Sequence, residues 1–301
     1  MPPTTGAQWW STNPNLDCTS IHALIYEVSL ASGGTGFACG VTGTFAWLVA
    51  GGEWQTSIRA AAPASGAIGV QYVFFDADGK RISLDTASGS LPTSADTVTL
   101  ALNVNQPSDV RLLGASSDAP QHSATQTGSV LALFFCADPF VCATVLPQLQ
   151  YFQPAQPWAL SVPIAWDNTF SFLQPSGLSN HWSTVGVNDA THNISFALYN
   201  QSPALANFIV RVYDSNGTLA AQGVTTQVPG FNSVDGEGGT RGFVLADIVR
   251  TPLPAGILKV VVDSATQLSA LFLQFSGNSA TTLPAAAEPR PAPSINAVRP
   301  R

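Results

Sequence analysis

The sequence predicts an all-β protein made of two related antiparallel β-sandwiches in tandem, of the immunoglobulin-like or jelly-roll-like kind. Three observations predict this fold. Short apolar runs bounded by glycine, proline, asparagine and aspartate recur along the 301 residues, while helical periodicity is nearly absent. Charged residues make up only 10% of the chain, against about 25% in an average protein, so small polar residues must cover the surface. One long segment also occurs twice.

The repeated segment fixes the architecture. Residues 56–79 (TSIRAAAPASGAIGVQYVFFDADG) align without a gap with residues 194–217 (ISFALYNQSPALANFIVRVYDSNG), at an offset of 138. Each copy contains an apolar strand, a break of small residues, a second strand and a turn. The turns end in Asp78-Gly79 and Asn216-Gly217, which tolerate positive φ and suit tight hairpins. A repeat of this length is a domain rather than a unit of a solenoid.

The apolar runs predict the individual strands. In the first half they are Ile21–Val28, Phe45–Ala50, Gln55–Ala61, Gly69–Asp76, Thr97–Asn103, Ser129–Cys136 and Leu146–Phe152. In the second half they are Ser183–Val187, Ile194–Tyr199, Asn207–Asp214, Gly242–Val244, Ile257–Val262 and Ala270–Phe275. One helical turn is predicted within Gly242–Arg250, where the prolines that follow would end it. The run from Gly128 also resembles the run from Gly256, which extends the similarity of the halves.

These elements predict four regions. Residues 1–44 form an N-terminal extension that packs on the first sandwich, and residues 45–155 form that sandwich. The prolines of QPAQPWALSV place the boundary before the second sandwich, residues 156–283. The tail, residues 284–301, is rich in proline and alanine without strand periodicity, which predicts disorder.

Charge and hydropathy exclude several classes of partner. The net charge is −7 and the only lysines are Lys80 and Lys259, whereas nucleic acids and anionic membranes require clustered basic residues. No apolar run approaches the roughly 20 residues of a transmembrane helix. We therefore expect no nucleic acid partner and no membrane span. No sequence motif indicates a cofactor or a metal.

The compartment is predicted from the cysteines. The start, MPPTTGAQWW, lacks the basic and apolar regions of a signal peptide, so the chain is either a mature secreted form that begins at Met1 or an intracellular protein. An even number of cysteines, Cys18, Cys39, Cys136 and Cys142, favours disulfides and secretion. Three pairings are possible, of which Cys18–Cys39 with Cys136–Cys142 is the local one, and four buried thiols are the alternative.

Several runs carry a resemblance to a known group of proteins. They are GGEWQT from Gly51, YVFFDADGKRISL from Tyr72, AWDNT from Ala165 and FALYNQSP from Phe196. They resemble tandem segments of secreted hypothetical proteins of acidobacteria and other soil bacteria, which have no established function. The resemblance covers most of residues 45–276 and lies in strands and turns. It implies a β-sandwich fold and an extracellular location, and it brings no catalytic motif.

Candidate catalytic residues are few. No nucleophile elbow or metalloprotease motif occurs, and the chain has only four histidines, although a catalytic triad can assemble from distant residues. His181 and His192 flank Asp189 in the polar stretch NHWSTVGVNDATHN, and Asp235 and Glu237 lie in a glycine-rich loop. These five are weak candidates for acid–base chemistry. Asp76-Ala77-Asp78-Gly79 begins like a calcium loop, but turn formation explains it in both copies.

The tryptophans are the best candidates for ligand binding. β-Sandwich modules bind polysaccharides by stacking sugars on exposed aromatic rings, although tryptophan is equally common in their cores. Trp9 and Trp10 are adjacent, so both cannot face inward from one strand, and Trp158, Trp166 and Trp182 lie near the domain junction. We therefore expect these five tryptophans to be candidate binding residues.

The sequence supports two hypotheses about function. The first is a secreted, non-catalytic structural or adhesive protein of the cell surface or the extracellular matrix. Such a protein can self-associate through the edge strands of its sandwiches, with the N-terminal extension as the strand donor. The second is a carbohydrate-active protein, either a module that binds an extracellular polysaccharide or a hydrolase with a site assembled in space.

Overall fold

A computed structural model describes residues 9–19, 24–29, 32–61, 67–87, 93–102, 108–112, 125–142, 145–153, 155, 159–162, 164–166, 178–230, 238–277 and 279–287. Nearly all regular structure in these ranges is antiparallel β-strand, which confirms the predicted all-β sandwich fold. No helix in this part of the chain is long and apolar enough to cross a membrane.

Each predicted apolar run overlaps a strand, and the structure has further short strands that were not predicted. Those of the first half are β1 (Leu24–Ser29), β2 (Thr35–Ala50), β3 (Gln55–Ala60), β4 (Ile68–Asp76), β5 (Leu84–Ala87), β6 (Thr93–Ala95), β7 (Thr97–Leu102), β8 (Ser108–Leu112), β9 (Gln126–Cys136), β10 (Gln148–Phe152), β11 (Ala159–Val162) and β12 (Ile164–Trp166). Those of the second half are β13 (Ser179–Asn188), β14 (His192–Asn200), β15 (Ala206–Tyr213), β16 (Leu219–Gln222), β17 (Thr226–Val228), β18 (Gly239–Val244), β19 (Gly256–Ser276), β20 (Ser279–Leu283) and β21 (Ala286–Ala287). Two short helices are α1 (Pro139–Cys142) and α2 (Leu245–Val249), and the second lies within the predicted helical segment.

The first sandwich has two six-stranded layers. One has the order β1-β2-β9-β4-β7, with β12 beside β2, and the other has the order β11-β10-β3-β8-β5-β6. Their inner faces bury one large cluster that includes Phe45, Ile58, Tyr72 and Phe134. Alternate residues of a strand point to opposite faces, so the apolar positions of each strand line the space between the layers.

The second sandwich is organised around the 21-residue strand β19. The first part of β19 pairs with β13 and β15, whereas residues 269–276 pair with β14 in the facing layer. In the first half, two separate strands make the same pairings, since β9 pairs with β2 and β4 and β10 pairs with β3. Both halves therefore have one topology, and β19 corresponds to β9 and β10 joined into one strand.

The turns of the two copies also agree in detail. The Asp76 carboxylate accepts backbone N–H groups from Asp78 and Lys80 at 2.8 and 3.0 Å. Asp214, 138 positions later, accepts them from Asn216 and Thr218, both at 2.9 Å. These contacts use the carboxylate for turn formation.

In the part of the chain that the structure describes, no group of three or more histidine, cysteine or acidic residues is arranged to hold a metal.

The cysteines form the local pairs, Cys18–Cys39 and Cys136–Cys142. No cysteine is free, so the alternative of four buried thiols is wrong. Cys39 and Cys136 are register partners of β2 and β9, so both bridges meet at one end of this strand pair. The first bridge fastens the N-terminal extension to β2, and the second closes the connection through α1.

The two sandwiches pack against each other. Arg241 of β18 forms an ion pair with Asp78 and donates a hydrogen bond to the carbonyl oxygen of Ala77 at 2.6 Å. Gly242 faces the ring of Trp47, where an added Cβ would lie 2.7 Å from the indole. The core cluster of the first half also includes Ala197, Leu271 and Leu273 of the second. The turn of the first repeat therefore rests on β18 of the second half.

The predicted domain limits differ from those of the structure. Strand β2 crosses the predicted boundary at residues 44 and 45, since its bounds are Thr35–Ala50. The boundary at residue 156 is also too early, because β11 pairs with β10 and β12 pairs with β2, with Trp166 in the first core. Among the described residues, the strands of the first sandwich therefore extend to Trp166. The alignment of the two repeats does not detect β11 and β12, because these strands lie outside the repeated segments.

The prediction for the C-terminal tail also needs correction. The tail predicted from residue 284 to be disordered starts with an ordered segment, because β21 pairs with β13 and the hydroxyl of Thr184 donates to the carbonyl oxygen of Pro284 at 2.7 Å. Residues 288–301 lie outside the described residues. The N-terminal extension supplies β1, which pairs with β2 of its own chain.

Candidate functional site

The candidate site is a groove on the outer face of the layer formed by β13, β19 and β15. In β19 the residues Leu258, Val260 and Val262 belong to the core, so strand alternation turns Lys259 and Asp263 outward. The same rule turns outward the odd-numbered residues of β15, which include Arg211 and Tyr213. The groove has a volume of about 770 Å³, within the range of about 300–1,000 Å³ of small-molecule sites.

The register of the strands brings the groove residues together. His181 of β13 lies opposite Asp263, and Val185 lies opposite Lys259. On the other side of β19, Tyr213 is also the register partner of Lys259. Residues separated by up to 82 positions in sequence thus form one surface, and the turn after Tyr213 forms one wall of the groove.

A three-residue polar network forms one end of the groove. The Nδ1 atom of His181 lies 2.5 Å from Oδ1 of Asp263, and Oδ2 of the same carboxylate accepts a hydrogen bond from the guanidinium of Arg211. The side chains of His181 and Asp263 are 9% and 20% exposed, and that of Arg211 is 35% exposed. Because Asp263 contacts both neighbours, it fixes the position of the imidazole and of the guanidinium.

The opposite end of the groove is apolar. Val185 and Ile257 are 55% and 57% exposed, although both are aliphatic residues on strands. An apolar patch beside fixed polar groups is the composition of a site that binds part of a ligand by contact and part by hydrogen bonds. The groove therefore suits a partner that has both polar and apolar surfaces.

The corresponding face of the first sandwich is covered by aromatic side chains of the N-terminal segments. The ring of Trp9 lies over Gly69 of β4, where an added Cβ would lie 2.8 Å away, and Trp10 lies equally close to Gly36 of β2. The ring centroid of Trp9 is 6.1 Å from that of Phe135. Trp9 and Trp10 are half-buried and pack on the sandwich of their own chain.

Two other tryptophans predicted to bind a ligand are buried. Trp166 is 1% exposed in the first core, and Trp182 is 7% exposed, with its Nε1–H donated to the carbonyl oxygen of Leu268 at 2.7 Å. Neither ring has an open face on which a sugar could stack, so the prediction for these two residues is wrong. Trp158 lies outside the described residues.

The predicted acid–base residues in the described part of the chain do not form one site. His181 belongs to the groove, whereas Asp189 and His192 form the turn at the other end of β13. Asp235 and Glu237 lie outside the described residues. In the turn, Nδ1 of His192 lies 2.9 Å from each carboxylate oxygen of Asp189, and Nε2 lies 3.0 Å from the hydroxyl of Ser276.

Several residues of the groove were not predicted from the sequence. Arg211, Tyr213, Lys259 and Asp263 alternate with apolar residues in VRVY and LKVVVD, and this alternation is the signal that places them on an outer face. Which outward-facing residues become neighbours depends on the register of β15 and β13 against β19. The local sequence pattern does not determine this register. No sequence motif distinguishes Ser276 from the many other serines of the chain.

Comparisons with known proteins give little further information. No protein-family model matches the chain, and no curated protein sequence matches it. Among solved structures, the chain is similar to a crystal structure described as a "putative secreted protein" of Parabacteroides distasonis ATCC 8503, at 11% identity and a TM-score of 0.19. The match covers 90% of this chain and 93% of the other. A likeness at this TM-score supports no conclusion about fold or function.

Proposed function

We propose that the protein is a secreted adhesive module of the cell surface or the extracellular matrix, which binds an extracellular polysaccharide in the groove of its second sandwich. The observation that carries the proposal is the difference between two equivalent faces. The face in the first half is covered by Trp9 and Trp10, whereas its counterpart is open and combines His181, Arg211 and Asp263 with exposed aliphatic residues.

The chemistry of the groove favours a hydroxyl-rich ligand. The imidazole and the guanidinium are held in place by Asp263, so they lose little conformational freedom when they hydrogen-bond to a ligand. The ring of Tyr213 and the side chain of Val185 supply surfaces for the apolar faces of sugars. The lining includes two basic and two acidic side chains, Arg211, Lys259, Asp214 and Asp263, which favours a neutral or weakly charged chain.

Secretion is supported by the chemistry of the whole chain. Two disulfides fasten the first half, and such bridges persist in oxidising compartments. The resemblance to secreted proteins of soil bacteria also supports secretion. Self-association through edge strands is a second form of an adhesive role. Strand β2 is not such an edge, because β1 and β12 pair with it within the chain.

Affinity electrophoresis through gels that contain purified neutral and acidic polysaccharides tests the proposal. At least one neutral polysaccharide should retard the protein, and Tyr213→Ala and Lys259→Ala should each weaken the retardation by about tenfold, since each removes a contact worth about 1.4 kcal/mol. Arg59→Ala is the matched control, because its half-exposed side chain lies on the other half. Absence of retardation in every gel, or equal retardation of the groove variants and the control, would contradict the proposal.

A further inference from the structure

Three side chains at the β13–β14 turn form a linear hydrogen-bonded chain. The hydroxyl of Ser276, at the end of β19, lies 3.0 Å from Nε2 of His192. On the other side of the ring, Nδ1 lies 2.9 Å from both oxygens of Asp189. The hydroxyl of Thr191 lies 2.8 Å from Asp189 and 3.0 Å from Nδ1 of His192. The order is that of a hydroxyl nucleophile, a base and an orienting carboxylate.

The charge of Asp189 determines the direction of these hydrogen bonds. The backbone N–H of Thr191, followed by the His192 ring, lowers the pKa of this carboxyl group, so Asp189 is an anion at neutral pH. An ionised carboxylate only accepts hydrogen bonds, and Nδ1 of His192 must therefore carry the proton. The lone pair of Nε2 then accepts the hydroxyl proton of Ser276, which is the tautomer that a general base requires.

A turn at this position does not require the histidine ring. In the first half the corresponding turn has Gly51 and Trp54 in place of Asp189 and His192, at the same offset of 138. Trp54 closes that turn with a backbone hydrogen bond to Gly51 at 3.1 Å, and Asp189 closes the second with one to His192, also at 3.1 Å. The two bonds run in opposite directions, and in the second turn the Asp189 carboxylate also accepts the N–H groups of Thr191 and His192. The first turn closes without a histidine, so the contact of the His192 ring with Ser276 is not needed to close a turn at this position.

We propose that Ser276 is a nucleophile that accepts an acyl group, with His192 as its general base and Asp189 as a positioning residue. The Ser276 oxygen attacks the carbonyl carbon of an ester, and its proton passes to Nε2 of His192. The tetrahedral intermediate then expels the alcohol, which takes the proton from His192, and the acyl group remains on Ser276. Water completes hydrolysis by the reverse sequence of proton transfers.

The surroundings of Ser276 restrict the substrates. The side chains of His192 and Asp189 are 33% and 39% exposed, so small acyl donors reach the site from solvent. The N–H of Gly277, next to the nucleophile, donates to the carbonyl oxygen of Thr191 at 3.1 Å and is not directed towards a developing oxyanion. Without this stabilisation the barrier stays high for amides. The substrate class is therefore small esters with good leaving groups.

Labelling of the intact protein tests the proposal. The probes are p-nitrophenyl acetate and a fluorophosphonate, with the mass of the intact protein and the modified peptide determined by mass spectrometry. One label should form per chain, on Ser276, and Ser276→Ala and His192→Gln should lower the rate by about 100-fold. Ser279→Ala is the control, because its hydroxyl only donates to the Ser276 carbonyl oxygen at 2.8 Å. Labels on other residues, or equal rates in Ser276→Ala and the control, would overturn the proposal.

The role of Asp189 needs a second measurement, since its loss also changes the turn. Asp189→Asn should lower the labelling rate at pH 7, because the Asn side chain no longer stabilises the imidazolium that forms on His192. It should also shift the rate profile towards lower pH, because an imidazolium without its anionic partner loses its proton more easily. Circular dichroism shows whether the variant is folded. A folded variant with an unchanged pH profile would refute the positioning role. Polysaccharide binding is measured separately, so failure of either proposal leaves the other in place.

Discussion

The hydroxyl of Thr240 donates a hydrogen bond to the carbonyl oxygen of Ala46 at 2.7 Å, although the two residues are 194 positions apart. The pair is buried where β18 of the second sandwich meets β2 of the first. Replacement of Thr240 by valine should keep the shape and leave the Ala46 oxygen without this donor, at a cost of about 1–3 kcal/mol in the free energy of unfolding. Urea denaturation measures the change.

The control for this prediction is Thr282→Val. Thr282 also bonds across the halves, to the carbonyl oxygen of Ser161 at 2.9 Å, but it is only half-buried, and water can replace it. Its loss should cost less than about 1 kcal/mol. Equal costs for the two variants would show that burial of the Thr240 bond has no special effect.

Close backbone contact makes Gly128 indispensable. A Cβ built on Gly128 would lie 1.8 Å from the carbonyl oxygen of Phe75, in the strand paired with β9. Gly128→Ala should therefore cost at least about 3 kcal/mol of stability, because the backbone of β4 must move. Gly217→Ala is the comparison: it has a φ of +79° with open space around it, and should cost about 1–2 kcal/mol from backbone strain alone. The order of the two thermal midpoints checks this prediction, and a reversed order would contradict it.

The two disulfides should contribute unequally. Cys18–Cys39 closes a loop with a sequence separation of 21, whereas Cys136–Cys142 closes one with a separation of 6. Loop-closure entropy then gives a cost of about 3 kcal/mol for removal of the first bridge and about 2 kcal/mol for the second. The measurement compares alanine replacement of each pair. Loss of the first bridge should also change tryptophan fluorescence, because it frees the segment that holds Trp9 and Trp10 on the sheet. A larger loss for the shorter loop would contradict the entropic argument.

The hydroxyl of Tyr151 is buried without a hydrogen-bond partner among the described residues, and burial raises its pKa. Tyr151→Phe removes the desolvated hydroxyl and keeps the ring, so stability should stay equal or rise by about 1 kcal/mol. Tyr151→Ala should cost about 3–5 kcal/mol, since it leaves a cavity in the core. A destabilised phenylalanine variant would show that the hydroxyl has a partner, which calorimetry would detect as a lower Tm.

The turn at Asp189 should respond to acid. Hydrogen bonds from the Thr191 backbone and the His192 ring hold the pKa of Asp189 below its ordinary value of 3.8. Because the folded value is the lower one, the stabilisation is complete above about pH 5 and is lost as the pH falls through the folded pKa. Carboxyl chemical shifts against pH measure the midpoint, which should rise in His192→Ala. A midpoint that is the same in both proteins would contradict the role of the ring.

The sequence predicted the structure correctly where interactions between residues close in sequence determine it. The strand alternation, the Asp-Gly and Asn-Gly turns and the 138-residue repeat each depend on residues close in sequence, and each occurs in the structure at the predicted place. The proximity of Cys18 to Cys39 in sequence likewise favoured the pairing that is found. Such features can be predicted because backbone geometry and short loops restrict the conformations that these segments can adopt.

By itself, the sequence determined the fold class, the duplication and the strands that contain the predicted apolar runs. Only the tertiary structure decided which outer residues meet, because register across β19 aligns His181 with Asp263 and Tyr213 with Lys259. It also decided that Trp166 and Trp182 are buried, and that Ser276 lies beside His192. A one-residue change of register would turn each of these side chains to the opposite face without altering the local pattern. The sites of the protein thus depend on pairings between distant strands, whereas its strands depend on their own residues.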